Sequence, residues 1–131
     1  MLSLGYTFLY NLCDTAIQAQ GLYAWHGFYH QSKTTHSALA SDLMEPFRVI
    51  VERVVLTMVN RHQIKTEEFA TSDSGCEMSS AARKQFLTTL LSELTQKRKR
   101  EQSRYIDEIF SSPKQLVLAL RQGTNTQSWR P

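Results

Sequence analysis

The chain has little cysteine. Its two thiols, Cys13 and Cys76, are far apart in 131 residues and form no CxxC pair. That argues against a disulfide framework and makes a reduced, cytoplasmic setting the default. No second cysteine or histidine sits near either at ligand spacing, which argues against a structural zinc site. The first twenty residues lack a basic stretch and are broken by Asn11, Asp14, Gln18 and Gln20. Neither a signal peptide nor a membrane span fits them. No internal repeat and no linker divides the sequence, so residues 1–131 read as a single domain with one modest core. Charge is also sparse. Charged residues make up 21% of the chain and the net charge is +3, with a pI near 9.0. Such a balance is compatible with binding phosphates and requires no such partner.

Helical periodicity fills most of what remains. From 2 to 20, Leu2, Tyr6, Leu9, Cys13 and Ala16 follow a helical step, with Leu4, Phe8, Leu12 and Ile17 on an adjacent stripe. Gly21 stands where such a helix ends. An aromatic connection follows over 22–36, its segment from Gln31 to Ser37 reading as a polar surface loop. Leu39, Leu43, Phe47, Ile50, Val54 and Met58 then predict a helical region over 37–61. Its β-branched second half admits a strand as the competitor, but length and period favour helix. Pro46 lies inside that pattern and predicts either a bend or a restart with the proline in the first turn.

Residues 62–79 read as turns, interrupted by a short amphipathic piece from Lys65 to Phe69. A third helix starts after Ser79 or Ser80 and carries Phe86, Leu87, Leu90, Leu91 and Leu94. It turns basic at Lys97-Arg98-Lys99-Arg100 and resumes its apolar step at Tyr105, Ile106, Ile109 and Phe110. Ser112-Pro113 predicts the start of a last helix, Leu116 to Leu120, closed by Gly123. The expected fold is all-α, a helical bundle.

Chemistry concentrates between Gly27 and Arg48, where His30, Asp42 and Glu45 bring an imidazole and two carboxylates into one short segment. A hard divalent cation prefers carboxylate oxygens and tolerates one nitrogen. Asp42 and Glu45 share a helix face at i, i+3, with Cβ atoms roughly 5–6 Å apart. Arg48, three further on, offers the plainer alternative of an Asp/Glu/Arg ladder on a solvated face. His26 and His30 are spaced i, i+4, but Gly27 intervenes and no Glu follows His26, so no zincin pattern exists. The basic run has no interleaved aromatic residue. Its functional reading is a phosphate-contacting stripe rather than a platform for stacking bases. Cys13 lies in a buried helical pattern, where a thiol is usually inert.

The strings Gly27-Phe28-Tyr29-His30 and Leu39-Ala40-Ser41-Asp42-Leu43-Met44-Glu45-Pro46-Phe47-Arg48 resemble the CRISPR-associated spacer integrase, the Cas-one family. That family carries a GFLH segment and then SLAxDLMEPFR in its C-terminal domain. Leu2-Ser3-Leu4-Gly5-Tyr6, Arg83-Lys84-x-Phe86 and Trp129-x-Pro131 are similar to further family positions. Four positions depart from the pattern. Ala24 replaces a proline, Thr35-His36 replaces Gly-Arg, and Ala38 replaces a serine. The resemblance implies His30 and Glu45 as ligands of Mg²⁺ or Mn²⁺, and Asp42 as a further ligand or a base beside them. It implies Arg48, Arg83 and Lys84 as phosphate contacts. It also implies DNA, a homodimer and a small CRISPR-associated protein, Cas-two, as partners, with no membrane. The activity implied is spacer insertion into a repeat array by attack of a 3′-hydroxyl on a phosphodiester.

Family members also use a glutamate upstream of the Leu-Ser-Leu-Gly-Tyr segment, and this chain has no Glu before Glu45. The chain thus reads as part of a C-terminal helical domain without its N-terminal β-domain. Weak or absent metal binding is the expectation for the chain in isolation, since two protein ligands hold Mg²⁺ poorly. The alternative reading is a non-catalytic helical module for DNA binding or dimerisation.

Overall fold

The computed structural model describes residues 1–24, 27, 37–72, 75–98 and 103–122. Five α-helices carry the fold: α1 (Leu2–Ala19), α2 (Ala38–Met44), α3 (Arg48–Asn60), α4 (Ser80–Thr95) and α5 (Tyr105–Gln122). The all-α expectation holds. Its one addition is a small antiparallel hairpin, β1 (Phe69–Ser72) with β2 (Gly75–Met78), preceded by a 3₁₀ turn at Thr66–Glu68.

Helix α1 is the hub. It packs on α2, α3 and α5, and it buries Gly5, Leu9, Cys13, Ala16 and Ile17 along one stripe. Leu2, expected on that stripe, is largely exposed. The closest approach occurs at Gly5. A Cβ there would overlap Val51 of α3 and sit 3.1 Å from the Phe86 ring of α4. The missing side chain therefore lets three helices converge near the start of α1. At the other end Gly21 takes φ +64. The amide of Gly21 donates to the Gln18 carbonyl and that of Leu22 to Ile17, which is the Schellman arrangement. The sequence reading placed this stop correctly.

The expected stripe of the second region is buried in full: Leu39, Leu43, Phe47, Ile50, Val54 and Met58. The β-branched half forms α3 because thirteen residues at helical period bury a continuous face, which no strand of that pattern would do. Ser37 corrects the reading of a surface loop at its end, since it is buried. Its Oγ donates to the Ala24 carbonyl and accepts from the Ala40 amide, its own amide donates to the Tyr10 hydroxyl, and Leu39 N–H also reaches Ala24 O. Ser37 is thus an N-cap that ties the start of α2 to the chain just after α1.

Three further expectations need correction. Phe69–Ser72 and Gly75–Met78 form strands rather than turns, with Ser72 opposite Gly75 in register. The third helix ends at Thr95 instead of running through the basic segment. Its N-cap is as expected, with Ser79 Oγ accepting from Ala82 N–H. Beyond the end, Arg98 turns inward to bond Glu108 and Ser103, with its guanidinium 4.5 Å over the Tyr105 ring. A continuous helix would carry it away from those partners. Finally, Pro113 does not begin a new helix but lies inside α5. A helical interior proline costs about 3 kcal/mol. Here its ring is fully buried, and Ser111 and Ser112 hydroxyls both donate to the Glu108 carbonyl one turn before. The expectations for the aromatic segment 28–36, Gly123 and Trp129 lie outside the described residues.

Both cysteines are free, Cys13 buried and Cys76 exposed on β2. Burial, with a smaller contribution from neighbouring Asp14, pushes the Cys13 thiol up to about 12. That removes it as a nucleophile at physiological pH. In the folded chain at mildly alkaline pH, a thiol reagent should label Cys76 rapidly and Cys13 only after unfolding. Equal rates in the native state would contradict the packing. Gly5→Ala should lower stability by about 1–2 kcal/mol, because overpacking outweighs the gain in helix propensity. Chemical denaturation would detect the change as a lower midpoint.

Candidate functional site

The geometry of the Asp42–Arg48 segment starts with Pro46. Its missing N–H leaves the Asp42 carbonyl without the donor a regular helix would supply. The Glu45 amide takes over that carbonyl, and the Arg48 amide takes the Glu45 carbonyl, so one 3₁₀ turn (Glu45–Phe47) separates α2 from α3. The interruption predicted from Pro46 is therefore a tightened turn in a chain that continues helically on both sides. It leaves Glu45 at the joint with its side chain exposed and Asp42 half-buried one turn earlier.

The Glu45 carboxylate is held by Arg48, whose Nη1 donates to Oε1 at 2.8 Å. This pair joins residues that are 39% and 46% exposed. The guanidinium also lies 4.5 Å over the ring of Tyr6 on α1. The Tyr6 hydroxyl in turn donates to Glu52 Oε1 at 2.9 Å. The hydrogen bonds with Glu45 first, and with Tyr6 second, raise the pKa of Arg48 above its ordinary value. Tyr6 and Glu52 were not read as site residues. Glu52 stands at i+4 from Arg48, a weak signal, while the contact of Tyr6 crosses between helices and leaves no trace in local spacing.

Asp42 faces a different neighbour. A Cβ at Gly27 would lie 2.7 Å from Asp42 Oδ2 and 2.8 Å from both the backbone carbon and the Cβ of Ala38. Only glycine brings the backbone this close to the carboxylate. The Gly-Phe-Tyr-His string thus begins against Asp42. His30 itself, three positions on, lies outside the described residues, as do His26 and the Lys99-Arg100 half of the basic run. Among the described residues no third His, Cys, Asp or Glu joins Asp42 and Glu45 in a metal-sized cluster. Asp14 is engaged elsewhere, accepting from the Gln18 side chain.

Arg83 and Lys84 project from the first half of α4 and line an open groove of about 390 Å³ with Phe8, Leu87 and Leu91. Both are exposed, and among the described residues neither forms an ion pair. Tyr6 and Phe8 lie about 200° apart around the α1 axis. Arg48 is therefore on one flank of α1, and Arg83 with Lys84 on the other. Arg98 takes a structural part in the α4–α5 connection through Glu108 and Tyr105.

Comparison with known proteins follows the same segment. Residues 1–92 match the family model described as CRISPR associated protein Cas1. Over 98 residues, 74% of this chain and 28% of the relative, the chain is 40% identical to CRISPR-associated endonuclease Cas1 1 of Archaeoglobus fulgidus. Two solved structures superpose on nearly the whole fold. One is a casposase bound to integration product, with a TM-score of 0.85 at 25% identity, over 94% of this chain and 35% of that one. The other is a partial Cas6-RT-Cas1–Cas2 complex, with a TM-score of 0.84 at 32% identity, over 98% of this chain and 40% of that one. The chain spans well under half the length of the curated relatives it matches. The family match over most of the chain, the shared fold and the Asp42–Arg48 segment lead to one conclusion: this chain belongs to the Cas1 family of CRISPR-associated proteins.

Proposed function

We propose that this chain supplies part of the catalytic domain of a metal-dependent DNA integrase and endonuclease of CRISPR adaptation. The observation that carries the reading is the joint at Pro46, which exposes Glu45 one turn after Asp42 while the Gly27 backbone abuts the Asp42 carboxylate. The donor chemistry fits a hard divalent ion, because two carboxylates and one imidazole are the available groups and Glu45 already attracts a cation in Arg48. In this reading His30 and Glu45 hold Mg²⁺ or Mn²⁺, and Asp42 is a further ligand or the base beside it. The ion would supply Lewis-acid polarisation of a phosphodiester oxygen.

The chain's own residues do the rest. Asp42, as a base, accepts the proton of an attacking 3′-hydroxyl. Arg48, fixed over Tyr6, offers its guanidinium to a phosphate. Arg83 and Lys84, with no ion partner among the described residues, contact the duplex backbone away from the reacting bond. DNA of the spacer precursor and of the repeat array would be the substrates. A second copy would be one partner and Cas2 another, the latter supported by the solved relative named for a Cas1–Cas2 complex. The solved casposase, named as bound to its integration product, supports strand transfer as the reaction class. No helix among the described residues is long and apolar enough to cross a membrane, and the cytoplasm is the compartment in which such a reaction would meet the chromosome.

In a strand-transfer assay, His30→Ala and Glu45→Ala should each reduce product by about 100-fold or more, since even outer partners of metal ligands are worth about 10–100-fold. Undiminished transfer in both would refute the assignment. DNA binding indifferent to His30→Ala, with no EDTA-sensitive cleavage, would favour the non-catalytic module. Replacing Arg83 and Lys84 together by Gln should weaken DNA binding across sequences and reduce the slope of log affinity against log salt by about 2. An unchanged slope would remove both residues from the interface.

A further inference from the structure

Arg48 makes two contacts of different kinds at once. Its Nη1 is bonded to Glu45, and its guanidinium face rests on Tyr6, itself tied to Glu52. The first contact uses the carboxylate that the proposed function assigns to a divalent ion. The second does not depend on Glu45, because the ring belongs to α1 and is anchored from α3 through its hydroxyl. A guanidinium seated on an aromatic face keeps its position when one of its hydrogen-bond partners is withdrawn.

We propose that Arg48 is the resident counter-cation of Glu45, competing with a divalent ion for that carboxylate, and that Tyr6 is the positioning residue that keeps it in place. The inference rests on the reading of Glu45 as a ligand. Without a cation, an exposed glutamate beside Asp42 would face a like charge one helical turn away. Arg48 removes that repulsion in the ion-free chain. The same seat keeps a positive charge beside the site when Glu45 turns to another cation, so the guanidinium stays available to a phosphate. Because the pair is roughly half exposed, the competition is weak enough for exchange. Glu52 joins the arrangement through the Tyr6 hydroxyl, which steadies the ring.

The test is Mn²⁺ binding by the full-length protein, followed by loss of the free-ion electron paramagnetic resonance signal without DNA or turnover. Arg48→Gln should lower the Mn²⁺ concentration at half-saturation by about two- to five-fold, the range set by an exposed ion pair. Tyr6→Leu keeps the Arg48 charge but removes its seat, and should shift half-saturation in the same direction by a smaller factor. Tyr6→Phe keeps the ring and loses only the hydroxyl's contacts with Arg48 and Glu52, so it should shift half-saturation less than Tyr6→Leu does. A field effect of the Arg48 charge alone would leave Tyr6→Leu unchanged, and that result would overturn the positioning role. Unchanged or weaker binding in Arg48→Gln would overturn the competition. If Glu45→Gln binds Mn²⁺ as the parent does, the ligand reading falls and this inference falls with it. If Glu45→Gln loses binding while Arg48→Gln is unchanged, only this inference falls. Matching far-ultraviolet circular dichroism of all variants separates these outcomes from misfolding.

Discussion

Pro46 is the constraint on which the arrangement of this domain depends. A regular helix from Ala38 to Asn60 would keep a single axis. The proline withholds one amide from the Asp42 carbonyl, and a single 3₁₀ turn takes its place, with the Glu45 amide on the Asp42 carbonyl and the Arg48 amide on the Glu45 carbonyl. Two short helices with separate contacts result: α2 packs against α1 and α5, and α3 against α1 and α4. The core closes around α1 because the two halves reach different neighbours. Phe47, immediately after the proline, is buried in the core and anchors the turn by packing. The same break makes Glu45 a joint residue rather than part of a helix face, so the site's position is a consequence of how the core is closed.

Fold and site are energetically separable. The interior rests on apolar contacts among Leu9, Ile17, Ile50, Met58, Phe86, Leu90 and their neighbours, where a large-to-small change costs about 2–5 kcal/mol. The Glu45–Arg48 pair is roughly half exposed, and exposed pairs contribute about 0–1 kcal/mol. Removing either partner therefore leaves the helices standing. The Arg98–Glu108 contact belongs to the other class. Its side chains are 25% and 31% exposed, it shares Ser103, and it closes the connection between α4 and α5. Both arginines rest on a tyrosine ring, yet they differ in role because Arg98 is the more buried and ties the end of α4 to α5, whereas Arg48 sits beside an exposed turn.

How much of this was legible in the sequence follows from the range of the interactions involved. Local and periodic features were readable: the helical stripe from Leu39 to Met58, the stop at Gly21, the Ser79 cap and the interruption at Pro46. Features decided by tertiary partners were not. Ser37 looked like loop because its bonds to Ala24 and Tyr10 lie 13 and 27 residues away. Pro113 looked like a helix start because neither its burial nor the hydroxyl bonds to Glu108 follow from spacing. The hairpin after Phe69 was hidden because its strands have four residues each and expose most of their side chains, giving little alternation to detect. In the site, Asp42, Glu45 and Arg48 could be named from spacing and resemblance. The choice of Glu45 as Arg48's partner, and Tyr6 beneath it, required the packing of α1 on α3.

Gly5 and Tyr6 show how closely closure and site are joined. Gly5 permits α1 to approach α3 at Val51 and α4 at Phe86. The next residue, rotated by about 100° on the same helix, is then delivered over Arg48. A larger side chain at Gly5 would push α1 outward and lift the Tyr6 ring from the guanidinium, even though Gly5 touches no charged group. Phe8, about 300° from Gly5 in the same sense, faces the opposite flank and lines the groove with Arg83 and Lys84. One close helix approach therefore sets the position of both cationic surfaces, one beside the carboxylates and one along α4.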